Sequence, residues 1–289
     1  MDMGVHNMKL YLSSFSVLFT LLLALPQVNV FAQELVERQT PADSPDYTPS
    51  EKELARTYPG YFTLNNDSIK VTLLSVGDEP DTNYVKLQET PPKDLAGIVV
   101  TIEKIVNIAS KVWDIVKDNA AAVNIDTKYA TAYPEGVTSA TQLAGWSRPK
   151  SYTYGFYAEN LYGSVMIDCK YKFSYTYNGA YKGKGKFLTG VAVIPSKVTA
   201  GWGYKFTMTA AVPDSTIANV GTDTDPVAAL QMKLNWKMAT VLKVVEGTSV
   251  YYLEGTGYFE EIASPWTKKE KQAADLKSAA PLLGPSSVF

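Results

Sequence analysis

The chain has 289 residues, with 27 Lys or Arg against 29 Asp or Glu for a formal charge of -2; 46% are hydrophobic, 12% aromatic and 19% charged. That apolar content excludes a disordered chain, and the balanced charge excludes a whole-molecule attraction to nucleic acid. A single cysteine excludes an intrachain disulfide framework and a cysteine-rich zinc module.

Lys9 precedes an apolar run from Phe15 to Leu25, followed by Pro26 and the small-residue site Val30-Phe31-Ala32. Charge, apolar core and cleavage site in that order predict a secretory signal over residues 1–32 and a secreted or periplasmic product. The run is too short to span a bilayer, and no later stretch is long and apolar enough to act as a transmembrane segment in the mature chain. Cleavage would remove His6, the one histidine. Without imidazole there is no Ser-His-Asp or Cys-His nucleophile system and no histidine-ligated zinc or copper centre, so no catalytic residue is assigned.

Residues 33–60 carry four prolines and few large apolar side chains, which predicts a flexible spacer. Residues 61–263 are expected to form one domain, followed by a C-terminal tail over 264–289. Two apolar stretches, Ser68 to Val76 and Asn83 to Gln88, flank the turn-rich Gly77-Asp78-Glu79-Pro80-Asp81 and predict a small N-terminal hairpin. After Pro91-Pro92, Ile98, Ile102, Ile105, Ala109, Val112 and Val116 recur at spacings of four and three. This predicts an amphipathic helix over 95–119 with Asp94 as N-cap. Its polar side balances Glu103, Asp114 and Asp118 against Lys104, Lys111 and Lys117, so it is expected to pack on the protein's own sheet rather than on anionic lipid.

From Asp126 to Ile262 the apolar period changes to two. Ser164 to Tyr177 sets Val165, Ile167, Cys169, Tyr171, Phe173, Tyr175 and Tyr177 on one face and Asp168, Lys170, Lys172, Ser174 and Thr176 on the other. Trp202 to Val212 and Leu230 to Val244 repeat the pattern. One dry and one wet face per strand means antiparallel sheet, and six or more such strands predict a mainly β protein, an antiparallel β-sandwich with one packed helix before it. Cys169 alternates with the apolar residues and is expected to be buried.

Register at Asn178-Gly179 decides whether a basic patch exists. A two-residue turn there would bury Lys182, Lys184 and Lys186; a three-residue connection or bulge sets Gly183, Gly185 and Phe187 against the aromatics instead. Burying unpaired ammonium groups costs several kcal/mol each, so the second register is expected. Lys170, Lys172, Lys182, Lys184 and Lys186 would then form one exposed patch, a docking face for an anionic polysaccharide, lipopolysaccharide or membrane headgroups. A second candidate is the loop holding Asp214, Asn219, Asp223 and Asp225, whose oxygens could surround Ca2+ although the spacing of a standard calcium loop is missing. No other cofactor is implied. Glu159, Glu254, Glu260 and Glu261 are the carboxylates from which a glycosidase pair would have to come.

Tyrosine is the dominant aromatic, with 19 residues, and suits stacking on sugar rings or sitting at a lipid interface. One amphipathic helix beside an aromatic-rich sandwich is similar in outline to actinoporin-type pore formers, a resemblance that implies membrane activity. The sequence therefore points to a non-enzymatic binding or structural protein of the exterior or envelope, docking on an anionic glycan or envelope surface. The alternatives are a membrane-active protein and a carboxylate-based glycan hydrolase.

Overall fold

The computed structural model describes residues 35–78, 99–122 and 127–266. The signal assigned to 1–32, the second arm of the expected hairpin at 83–88 and most of the C-terminal tail lie outside the described residues. Among the described residues fourteen strands and one α-helix follow in chain order: β1 (Val36–Gln39), α1 (Pro49–Thr57), β2 (Lys70–Asp78), β3 (Thr101–Val106), β4 (Val112–Lys117), β5 (Ala120–Ala121) and β6 (Ala130–Glu135). They continue with β7 (Lys150–Glu159), β8 (Val165–Tyr181), β9 (Lys184–Ala200), β10 (Lys205–Ala211), β11 (Ala218–Asn219), β12 (Ala228–Ala239), β13 (Lys243–Glu254) and β14 (Phe259–Ala263). One sheet runs β1-β13-β12-β10-β4-β5, with β14 added on β13 and β11 on β12; the other runs β2-β7-β8-β9-β6-β3. Both are antiparallel, and the protein is a mainly β sandwich with one α-helix among the described residues.

The sheets face each other through aromatic rings. Phe156 of β7 stacks on Trp236 of β12 with centroids 4.5 Å apart, and Phe173 of β8 meets Tyr251 of β13 at 4.4 Å. Tyr171, Phe206 and Leu234 are fully buried beside them. Alternation along β8, β10 and β12 puts these side chains on the inner face, because residues two apart in a strand share a face. Inter-sheet contact is thus made by large rings, each removing far more apolar area from water than an aliphatic side chain. Cys169 is fully buried in this core, and burial pushes its thiol up to about 12. It should resist alkylation by a neutral maleimide in native buffer and react at once in denaturant; rapid native labelling would contradict this register.

The structure corrects several sequence expectations. Residues 101–106 and 112–117, expected to lie in a helix over 95–119, form β3 and β4 instead. The segment is dense in Ile and Val, whose branched side chains lose rotamer freedom in a helix and fit a pleated sheet. The intervening turn is locked by Asn107, whose Oδ1 accepts from the Ala109 and Thr131 amides at 3.1 and 3.0 Å. A side chain that bonds local backbone in this way competes with helix formation. Trp113 and Ile115 then alternate inward with Asp114 outward. The outline resemblance to pore formers loses the helix that carried it.

The stretch 33–60, expected to be a flexible spacer, contributes β1, which pairs with β13, and α1. Thr48 and Glu51 close a reciprocal capping box and Pro49 occupies the first turn, a combination that starts a helix whatever the surrounding composition. The expected hairpin arm β2 pairs with β7. The long β8–β9 hairpin turns at Lys182-Gly183, not at Asn178-Gly179: both residues have positive φ, and Tyr181 is opposite Lys184. That left-handed pair matches the strand twist. Asn178, at φ 65, sits in a bulge, its amide drawn to the Gly255 carbonyl at 2.9 Å.

Candidate functional site

The outward positions of the eight-stranded sheet assemble a polar face. Register places Thr207, Lys237 and Glu246 side by side across β10, β12 and β13, then Thr209, Asn235 and Thr248, then Ala211, Lys233 and Val250, and finally Gln231 with Tyr252. The first two rows line a cleft of about 460 Å3, closed on one side by Val36 of β1. Thr207 and Lys237 also border a second cleft of about 330 Å3 formed with Arg38, Tyr47, Asp46 and Lys205. The two share side chains and make one groove across the sheet.

Each wall of the groove is fixed by an interaction of its own. The Arg38 guanidinium donates two hydrogen bonds to the Glu246 carboxylate, at 3.0 and 2.8 Å, which holds β1 against β13. Lys243 pairs with Glu37 on the same strand pair and, as a hydrogen-bond donor, keeps that carboxyl below its ordinary value. Lys205 lies over the Tyr47 ring at 5.1 Å. Thr248 donates to Asn235 Oδ1 at 2.9 Å, which aims the amide nitrogen of Asn235 away from that bond. Among the described residues, the Thr207 and Thr209 hydroxyls and the Lys233 and Lys237 ammonium groups have no side-chain partner. The groove therefore holds convergent donors and acceptors with capacity to spare. Farther along β13, beyond the two clefts, Tyr252 meets Tyr258 edge to face at 6.2 Å, their phenols donating to Glu254 and Glu260 at 2.9 and 2.6 Å. Burial of Tyr252 and the Glu260 bond of Tyr258 push both phenols up to about 12, so at neutral pH they are donors with intact ring faces.

Lys170 and Lys172 lie on the outer face of the other sheet, in the middle of β8, with Lys197 opposite Lys170 and itself paired with Asp168. Lys182, Lys184 and Lys186 are exposed at the hairpin tip while Gly185 and Phe187 turn inward. Ten residues separate Lys172 from Lys182, about 30 Å of strand. That is several screening lengths at physiological salt, so the five lysines fall into two groups rather than one patch.

Three of the four loop side chains are engaged separately. Asp214 pairs with Lys111, Asn219 Oδ1 accepts from the Gly221 and Val227 amides, and Asp225 Oδ1 accepts from the Gly185 amide at 2.8 Å. Asp223 has no side-chain bond among the described residues. No cluster of three acidic, histidine or cysteine side chains able to hold a metal occurs among the described residues. Glu159, like Glu254 and Glu260, accepts from a tyrosine, at 2.6 Å from Tyr157. Glu261 belongs to the inner face of β14, opposite Tyr251.

A larger cleft, about 650 Å3, opens between the sheet edges over Trp113, Ile115, Val193 and Pro195. Its wall is mostly apolar or charged, without the convergent neutral donors of the groove. The groove residues were individually visible in the sequence as the wet half of each strand. What escaped detection was adjacency, since β10, β12 and β13 meet only through the fold. No family model matches the chain, and no curated protein or solved structure matches it significantly.

Proposed function

We propose that this is an exported, non-enzymatic glycan-binding protein, and that the groove across β10, β12 and β13 receives a saccharide bearing an acidic group. One observation carries the reading: a concave face where Thr207, Thr209 and Asn235 converge with the unpaired Lys237 ammonium. Sugars present rows of hydroxyls that both donate and accept, and threonine hydroxyls and asparagine amides answer both roles. Lys237 and Lys233, four residues apart on one face of β12, supply positive charge for a carboxylate, sulfate or phosphate. Tyr252 and Tyr258 offer ring faces against which the C–H face of a sugar can pack. The order of charge, apolar run and cleavage site over residues 1–32 supports export.

The test is retention of the full chain on immobilised heparin against neutral glycans. Lys233→Gln with Lys237→Gln should lower the eluting salt concentration markedly, and Thr209→Val with Asn235→Ala should weaken retention at constant charge. Loss of retention on replacing Lys182, Lys184 and Lys186 instead would move the site to the hairpin tip.

A further inference from the structure

We propose that the end of the sandwich formed by residues 57–66, the β7–β8 turn and the β9–β10 turn docks on the interface of a zwitterionic lipid bilayer, independently of the groove. Three segments, 57–66, 160–167 and 198–204, contain no Asp, Glu, Lys or Arg in a chain that is 19% charged. The fold brings them together. Leu161 N–H donates to the Gly60 and Thr63 carbonyls at 3.2 and 3.0 Å, and Gly201 N–H to the Met166 carbonyl at 2.7 Å. The Tyr61 phenol donates to the Trp202 carbonyl at 3.2 Å, and Trp202 meets Phe62 edge-on at 5.8 Å. An added Cβ at Gly60 would lie 2.6 Å from the Tyr162 ring, so glycine is what admits the ring there.

Tyr58, Leu161, Tyr162, Val165 and Trp202 remain 49–60% exposed at this end. Isolated apolar residues on a surface are ordinary, but five on converging uncharged segments form a patch with a partner. Two features select lipid over a protein. Entry into a headgroup layer leaves no charge to desolvate, and Tyr and Trp, with apolar bodies and polar tips, favour that depth. The amides of the β7–β8 turn, 160–164, are also satisfied internally, as contact with hydrocarbon demands. Asn160 Oδ1 accepts from the Tyr162 and Ser164 amides, both at 3.0 Å, and the Gly163 amide donates to the Asn160 carbonyl at 3.0 Å.

Full-chain protein is mixed with phosphatidylcholine vesicles whose acyl chains carry bromine, and tryptophan emission is followed. Residues 1–32 contain no tryptophan, so quenching reports on the folded part. The expected result is quenching that survives 0.5 M NaCl, disappears in Trp202→Phe, and needs at least tenfold more lipid in Leu161→Ser with Tyr162→Ser. Val165→Ser, whose thermal midpoint verifies folding, should show a smaller loss in the same direction. Absence of quenching in the unmodified protein would overturn the proposal, as would an unchanged lipid requirement in the folded variants. So would quenching that requires phosphatidylglycerol and vanishes in salt, which would assign contact to the lysines.

Discussion

Trp236→Ala should destabilise the protein by about 3–5 kcal/mol, the range for deleting a large buried aromatic and leaving a cavity. Trp236 is almost wholly buried in β12, stacks on Phe156 across the sandwich, and lies within 5.3 Å of the Tyr171 ring and 6.1 Å of Phe206. Its indole N–H also donates to Ser249 Oγ at 3.3 Å, a core hydrogen bond that the truncation removes. For a domain of this size each kcal/mol is worth about 2–4 °C of melting temperature, and the fall should be about 6–20 °C. Lys237→Gln, on the opposite face of the same strand, should stay within about 0.5 kcal/mol. Urea midpoints of both variants check the pair. A loss below about 1 kcal/mol for Trp236→Ala would mean that the two sheets are not joined through this stack.

Raising the pH should unfold the protein cooperatively above pH 10. Tyr154, Tyr175 and Tyr204 are buried, and burial is the main cause holding each phenol far above its ordinary value of 10.0. Tyr171 and Tyr251, hydroxyl to hydroxyl at 3.3 Å in the core, shift the same way for the same reason, and Tyr133 is pushed up to about 12. Because the folded-state pKa is raised, the stabilisation is fully present below pH 10, where both states keep the proton. It is lost as pH rises from 10 through the folded values, where only the unfolded chain releases it. Each deeply buried tyrosine removes roughly 3 kcal/mol by pH 12, so a few of them together remove an amount comparable with the whole stability of a typical domain. The phenolate absorbance at 295 nm contributed by these buried tyrosines should appear in one steep step together with loss of the β-sheet circular dichroism. Full phenolate absorbance with the sheet signal intact would contradict this burial.

The parts of the fold legible in the sequence were those where a single strand speaks for itself. β8, β10 and β12 declare their inner faces because every second residue is large and apolar, and Cys169 could be placed from that alternation alone. Residues 101–117 misled because Ile102, Ile105, Val112 and Val116 satisfy a helical spacing while Val106, Trp113 and Ile115 leave strand alternation equally open. The branched side chains settle it in favour of sheet. Thr48-Pro49 and Glu51 were a readable helix start, masked by the prolines around them. The lysines show a further limit. Nearness in sequence implied one patch, but a hairpin of two 17-residue strands carries Lys182 and Lys172 far apart. The groove depends wholly on pairing between distant strands, which only register supplies.

The most direct test of the groove is lysine footprinting on the full chain, acetylating the protein with and without a heparin oligosaccharide and measuring each lysine by mass spectrometry. Lys237 and Lys233 should be protected by the saccharide, while Lys170, Lys172, Lys182, Lys184 and Lys186 acetylate as they do in its absence. Protection confined to those five, with Lys233 and Lys237 unchanged, would contradict the assignment of the groove as the binding site.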